Sequence, residues 1–222
     1  MKILTCQQGS LAWLLARSQC ATASELGSLI TPTLKLRTGE MPHSYLCRKL
    51  AERWLGRPIA TFSGGAMEQG TILEEEAIPW YELRHKCTVR RVGFITTDDG
   101  AFGCSPDGLM GDCGLEIKCP QEHTHVKWLL EDACPQDHYL QVQGGMAVTG
   151  LSQWEFVSYC RNMPPLVVRV ARDEKVQEVI AEAVSEFAGL MEWGWDRLVT
   201  KHGPAPVRPA PEPVVSEEDF VF

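Results

Sequence analysis

Apolar residues recur at helical spacing over the first 86 positions and alternate with polar residues after that. Helices are predicted at four places: residues 11–17 after a cap at Ser10, a short segment starting at Ser24, 43–56 and 67–86. Pro32, Gly39 and Pro42 break the pattern and predict a loop over 31–43.

The second half of the chain mixes short alternating runs with longer helical ones. The predicted strands span 87–96, 101–105, 109–110, 115–119, 152–160 and 166–172, with turns at 98–100 and 112–114. The predicted helices span 122–131, 136–149 and 173–199. This order of elements predicts the α/β fold class, with a mixed central β-sheet flanked by helices.

Length and composition fit one globular domain with a tail. The chain has 222 residues, of which 44% are hydrophobic, so a domain over 1–202 is expected, followed by a flexible, Pro-rich acidic tail over 203–222. No apolar run approaches the ~18 residues that a membrane helix needs. None of the nine cysteines forms a C-x-x-C pair, which argues against a disulfide scaffold or a zinc ribbon and predicts a cytoplasmic protein.

Charge is unevenly distributed along the chain. The net charge is -8, yet residues 1–58 carry eight Lys and Arg against three Glu, a local charge of +5. A basic N-terminal part could face phosphates while an acidic exterior keeps the protein soluble. Chance clustering on solvated helix faces is the alternative explanation.

The segment 105–120, SPDGLMGDCGLEIKCP, contains the candidate chemistry. Asp107 sits at a bend after a predicted strand, while Glu116 and Lys118 share one face of the next strand and the Ile117 carbonyl can reach its edge. Two carboxylates and a carbonyl make an oxygen site suited to Mg²⁺ or Mn²⁺. A lysine beside that metal can orient or deprotonate a water. The alternative is an Asp-Gly turn with Glu and Lys on an exposed strand.

The spacing of these residues resembles the Pro-Asp … Glu-x-Lys pattern of the PD-(D/E)XK nuclease superfamily. The fuller pattern is similar to its phage lambda exonuclease branch, the YqaJ-type viral recombinase family. The matching positions are Gln8-Gly9, Trp13, Arg17, 21–24, Gly70, Glu74, 105–109, 115–120, Tyr139 and 141–143.

The resemblance implies a nuclease activity and an assembly. Family members digest linear duplex DNA from 5′ ends, release mononucleotides and leave a 3′ single strand. They use Mg²⁺, for which Mn²⁺ can substitute, with one or two ions per active site. They often form a ring-shaped homotrimer around DNA and work beside a single-strand annealing protein in recombination. The resemblance therefore implies a protein encoded by a bacterium or a phage.

The resemblance also assigns roles by position. Asp107, Glu116 and the Ile117 carbonyl would bind one metal, Glu74 and Asp107 a second, Lys118 would serve the water, and Gln141 would line the site. Arg17, Ser24 and Ser105 would hold a 5′ phosphate. An arginine fork suits that phosphate, and a helix start at Ser24 would add backbone donors.

Contacts to the duplex are expected from loops over 31–43 and 58–68. The candidate residues are Lys35, Arg37, Met41 and Met67, of which either methionine could act as an apolar wedge at the duplex end. Two other functions stay open. One is a structure-specific or sequence-specific endonuclease of the same superfamily, and the other is a non-catalytic module that binds DNA ends or recruits a partner.

Overall fold

The computed structural model describes residues 1–59 and 65–206, and for 65–72 it describes the backbone only. The elements in chain order are β1 (Lys2–Leu4), α1 (Leu11–Ser18), β2 (Ala21–Thr22), a 3₁₀ helix (Ala23–Ser28), α2 (Glu40–Leu55), α3 (Gly65–His85), β3 (Phe94–Thr96), β4 (Phe102–Cys104), β5 (Gly108–Met110), β6 (Cys113–Lys118), α4 (Glu122–Glu131), α5 (Gln136–Thr149), β7 (Gln153–Ser158), β8 (Leu166–Ala171) and α6 (Glu174–His202). Within this described part, no helix is long and apolar enough to cross a membrane.

The strands form two mixed sheets of four, which confirms the predicted α/β class with flanking helices. One sheet has the order β1-β3-β4-β2, with β2 parallel to β4, and the other has the order β5-β6-β7-β8, with β6 parallel to β7. A parallel pair needs a long crossover, and α4 and α5 provide it between β6 and β7. The second sheet positions the candidate chemistry, because β5 and β6 contain most of the segment 105–120.

Helix α5 packs closely on both the 3₁₀ helix and the second sheet. A Cβ on Gly144 would lie 2.7 Å from Leu26, and one on Gly145 would lie 2.6 Å from the Trp154 ring. Only glycine allows this approach, so two consecutive glycines bring α5 into contact with both neighbours. This packing fixes the position of Gln141, which lies one turn earlier on α5, relative to Glu116 on β6.

Two predictions about the first 60 residues are wrong. Helix α2 begins at Glu40 rather than at 43, because Pro42 lies in the first helical turn, where a missing N–H costs nothing. Met41 is therefore helical and does not belong to a loop over 31–43. The short helix after β2 is a 3₁₀ helix whose N-cap is Thr22, so Ser24 does not start a helix.

Several strand limits also differ from the prediction. The strand expected over 87–96 is limited to Phe94–Thr96, with an isolated bridge from Arg90 to Leu109 before it. The turn expected at 112–114 comes earlier, at Gly111 (φ 58°), so that Cys113 already begins β6. By contrast, the limits predicted for α4 and α5 agree with the structure, and Ser10 caps α1 by accepting the Trp13 N–H at 3.3 Å. Residues 207–222 of the predicted tail lie outside the described residues, so the domain boundary predicted after residue 202 stays a prediction.

Candidate active site

Asp107, Glu116 and Lys118 meet where β5 begins against β6. The antiparallel register pairs Gly108 with Leu115, which places Asp107 opposite Glu116. The Asp107 N–H donates to the Leu115 carbonyl at 3.1 Å, and its carboxylate accepts the Ile117 N–H at 2.6 Å. Lys118 forms an ion pair with Glu116. The hairpin therefore holds both carboxylates and the ammonium in one place.

The Ile117 carbonyl faces the same edge of the sheet. In a strand, the N–H and C=O of one residue face the same neighbour, and the Ile117 N–H points to Asp107. Strand β5 starts only at Gly108, so it offers no ladder partner at this level. The Ile117 side chain is fully buried in the hydrophobic core, as the sequence predicts.

Glu74 reaches the site from α3, across an open cleft. The cleft has a volume of about 460 Å³, and its lining includes Glu74, Asp107, Gln8 and Arg91. Gln8 donates to the Pro106 carbonyl at 2.9 Å and to the Val92 carbonyl at 3.0 Å. These two bonds tie the N-terminal segment to the bend that carries Asp107, so the cleft has a fixed wall beside the carboxylates.

Burial is the main effect that disfavours ionisation of the three carboxylates, and repulsion between them adds to it at Glu74 and Glu116. Burial and the nearby Asp107 raise the pKa of Glu74 to about 7. Burial, with added repulsion from Asp107 and Glu74, raises the pKa of Glu116 to about 7 despite Lys118. Burial likewise raises the pKa of Asp107. Burial opposes the charge on Lys118, but Glu116, Asp107 and Glu74 outweigh it and raise the Lys118 pKa. Clustered acidic oxygens of this kind favour a bound cation.

The donor types fit Mg²⁺, although the carboxylates have protein partners in this structure. One Glu116 oxygen accepts from Lys118 and also from Gln141, at 2.5 Å for the amide. Among the side chains that the structure describes, no three acidic, His or Cys groups converge as a ready metal site. Both hydrogen bonds to Glu116 use a single oxygen, Oε1, and carboxylate and carbonyl oxygens are the ligands that Mg²⁺ prefers.

Arg17, Ser24 and Ser105 form a second cluster beside the first. The Arg17 guanidinium donates to the Ser24 hydroxyl at 2.9 Å and to the Ser105 hydroxyl at 3.3 Å. Ser105 lies two residues before Asp107, so the two clusters share one bend of the chain. Burial lowers the pKa of Arg17, and Glu25 partly counteracts this effect. The structure thus assembles three residues that were predicted to bind phosphate.

Sequence reasoning missed the residues that hold this cluster. The Trp13 indole N–H donates to the Ser105 hydroxyl at 2.8 Å, and its ring lies 4.4 Å from the Arg17 guanidinium carbon. The Lys49 ammonium is buried and donates to the Arg17 carbonyl at 2.5 Å. The spacing of Trp13 and Arg17, four residues apart in one helix, could have indicated the first contact. No local signal indicates Lys49, which comes from another helix.

The predicted DNA-contact residues lie elsewhere. Arg37 donates to the Gly27 carbonyl at 2.7 Å and to the Ile30 carbonyl at 3.3 Å, so it ties down the end of the 3₁₀ helix. Arg37 and Met41, which is 51% exposed, line a groove of about 500 Å³ whose lining does not include Glu74, Asp107 or Glu116. Lys35 is exposed. The Met67 side chain lies outside the described residues.

Most of the basic residues in 1–58 form contacts within the fold. Arg48 pairs with Glu25, and Arg53 pairs with Glu192 at 2.8 Å. Arg57 donates to the Pro58 carbonyl at 3.5 Å, so together with Arg17, Arg37 and Lys49 six of the eight basic residues have partners within the fold. Only Arg48, Lys49 and Arg53 have carboxylate partners among the described residues, whereas the hydroxyl and carbonyl partners of Arg17 and Arg37 hold each side chain in place without cancelling its charge.

Comparison with solved structures defines the class of this fold. A crystal structure of an alkaline exonuclease (LHK-Exo) from Laribacter hongkongensis matches with a TM-score of 0.77 and 30% identity, over 86% of this chain and 96% of that one. The same protein in complex with dAMP matches with a TM-score of 0.77 and 31% identity over the same shares. A phage-related exonuclease from Haemophilus somnus, at 15% identity and TM-score 0.62 over 82% of this chain and 96% of that one, supports the fold alone. The fold is that of the PD-(D/E)XK nucleases.

Sequence comparison then gives the family. A model of the YqaJ-like viral recombinase domain matches residues 12–152, more than half of the chain. The chain belongs to this family, as the motif resemblance predicts. No curated protein sequence matches it.

Proposed function

We propose that this chain is a Mg²⁺-dependent 5′→3′ exonuclease that acts on linear double-stranded DNA. It would release 5′-mononucleotides and leave a 3′ overhang for single-strand-annealing recombination. One observation carries the proposal: an arginine–serine cluster suited to a terminal phosphate shares the 105–107 bend with a carboxylate cluster suited to a divalent metal. An enzyme that cuts inside a strand has no need to hold a strand end.

The Arg17 cluster would bind the 5′ phosphate. Guanidinium carries five N–H donors, and two of them contact Ser24 and Ser105. The remaining donors can form the paired, charge-assisted bonds that arginine makes with phosphate. Trp13 fixes the guanidinium plane from one side, so the pocket is largely formed before DNA arrives. A seated phosphate would place the first phosphodiester near Asp107.

The carboxylate cluster would carry the hydrolysis. Asp107, Glu116 and the Ile117 carbonyl would hold one Mg²⁺, and Glu74 with Asp107 a second, while Mn²⁺ would substitute. Bound metal supplies a lowered water pKa and charge relief at the phosphate. Lys118 would orient the attacking water through its ammonium hydrogens, and Gln141 would hold the Glu116 carboxylate in place by the hydrogen bond it already makes.

The similar proteins support this activity from outside the chain. LHK-Exo is described as an alkaline exonuclease, and its complex contains dAMP. A nucleoside monophosphate is the chemical class that an exonuclease would release from DNA. The family is that of a viral recombinase domain, which supports a role in recombination. The proposal further includes a homotrimeric ring around the duplex and a single-strand annealing protein as partner.

A comparison of DNA topologies tests the proposal. Linear duplex with 5′-phosphorylated ends and covalently closed circular duplex are incubated with the full chain, with Mg²⁺ or with excess chelator. We expect mononucleotide release from the linear DNA alone, and only with Mg²⁺. Cleavage of the circle would indicate an endonuclease, and binding to ends without any cleavage would indicate a non-catalytic module. Either result would contradict the proposal.

A further inference from the structure

An open apolar groove lies between α2 and α6, away from the candidate active site. Its volume is about 760 Å³, and its lining includes Cys47, Leu50, Trp193, Arg197, Lys201 and His202. Trp193 is 59% exposed, which is unusual for so large an apolar side chain. The helices approach closely because a Cβ on Gly194 would lie 2.6 Å from Leu50. An apolar surface with this shape is typical of a binding site.

The rim of the groove is basic. Arg197, Lys201 and His202 all lie on the last three turns of α6 and line the same groove. In residues 1–59 and 65–206, neither Arg197 nor Lys201 forms an ion pair. Arg197 only stacks on Trp193, at 5.6 Å from the ring centre. The groove is therefore suited to an occupant that is both apolar and acidic.

The residues that follow α6 have this composition. Residues 207–222 read VRPAPEPVVSEEDFVF and contain four acidic residues against one arginine. Acidic Glu217, Glu218 and Asp219 directly precede Phe220, Val221 and Phe222. The charge of this segment opposes that of the groove rim, and its aromatic residues match the apolar walls in kind.

The connection is long enough for the segment to fold back. The chain leaves α6 at His202, which is itself part of the groove wall. The helix from Trp193 to His202 is roughly 14 Å long at 1.5 Å per residue. The 16 residues of 207–222 can span up to about 50 Å when extended, so they can return along the whole groove.

We propose that residues 207–222 dock into the α2/α6 groove of their own chain. Phe220 and Phe222 would cover the exposed face of Trp193, while the acidic residues before them would pair with Arg197 and Lys201. The docked segment would shield the apolar groove from other partners until one displaces it. This inference does not depend on the proposed nuclease activity.

Disulfide trapping in the full chain tests the proposal. Cys47 is the one exposed cysteine among the described residues and lies in the groove. With Val221→Cys, mild oxidation of dilute protein should form a disulfide between Cys47 and the introduced thiol within one chain, identified by peptide mass spectrometry. Reversing the rim with Arg197→Glu and Lys201→Glu should slow trapping by about tenfold, because two pairs become repulsive. Arg197 and Lys201 are exposed, so the fold should persist when they are replaced.

A cysteine introduced outside the groove provides the matched control. Lys127 is exposed on α4, which does not line the groove, so Lys127→Cys in a Cys47→Ser background should trap much more slowly. Equal trapping at both thiols, or a rate unchanged by reversal of the rim charges, would show that the segment does not dock there. A disulfide that joins two chains would make a second copy the occupant and would overturn the proposal.

Discussion

Replacement of Arg17 by alanine should selectively weaken the handling of phosphorylated 5′ ends. The guanidinium is fixed by Ser24, Ser105 and the Trp13 ring, so little conformational entropy would be lost when it binds phosphate. Loss of a charge-assisted hydrogen bond costs about 1.5–3 kcal/mol, or about 10- to 150-fold in kcat/KM. The same substitution should change digestion of 5′-hydroxyl ends much less, because those ends place no charge in the pocket.

The assay compares two duplexes that differ only in the terminal phosphate. Wild type, Arg17→Ala and Arg17→Lys are followed by mononucleotide release, and the ratio of the two rates is the readout. Arg17→Lys keeps the charge but loses the planar fork, so it should restore part of the preference. Arg84→Ala removes one exposed positive charge near the end of α3 and serves as the control. A wild-type ratio in Arg17→Ala would refute the reasoning and place the phosphate site elsewhere.

Three further perturbations test other parts of the account. Lys118→Ala should reduce cleavage by at least about 100-fold, which is the usual scale for a group that transfers a proton or positions a water. Lys118→Arg should not restore the rate fully. Near-normal rates of Lys118→Ala in a discontinuous digestion assay would show that Lys118 takes no part in the chemistry. His138 packs against aromatic rings, and burial lowers its pKa from 6.5 to about 4. The folded protein keeps His138 neutral while the unfolded chain takes up a proton below pH 6.5, so the contribution of His138 to stability should be complete above pH 6.5 and fall by up to about 3 kcal/mol towards pH 4. Urea titrations in which His138→Asn shows the same pH dependence as wild type would contradict the assignment. A Cβ on Gly93 would lie 2.2 Å from a backbone carbonyl of the N-terminal segment, whereas one on Gly189 would have no atom within 4 Å. Gly93→Ala should therefore lower the free energy of unfolding by about 1–3 kcal/mol, and Gly189→Ala should raise it by about 0.5–1 kcal/mol in the same titration. Shifts of the same sign in both variants would contradict this packing.

The elements that the sequence predicts well are those whose signals are local. Helices α4 and α5 have complete apolar periodicity and clear ends, and their predicted limits agree with the structure. Strands β1 and β2, with three and two residues, carry no pattern long enough to recognise. They form only because β3 and β4, about 90 and 80 residues later, offer them an edge. Pairing at such sequence distances is decided by tertiary structure.

The candidate site shows the same division. The juxtaposition of Asp107, Glu116 and Lys118 follows from strand alternation and one tight turn, so the sequence predicts it. The contacts around Arg17 depend on four separate segments, and two of their members, Trp13 and Lys49, look like ordinary core or surface residues in sequence. A local charge count also does not indicate which basic side chains are held within the fold, as Arg37 and Arg48 are.

The most direct test of the account is digestion by variants of the carboxylate pair. Asp107→Asn and Glu116→Gln keep the size of each side chain and remove its charge, so the fold should persist and the thermal transition should change little. With 5′-phosphorylated linear duplex and Mg²⁺, we predict that both variants release no measurable mononucleotide. With Ca²⁺ in place of Mg²⁺, both should still bind duplex ends through the Arg17 pocket. Substantial Mg²⁺-dependent release by either variant would contradict the claim that this cluster carries the hydrolysis.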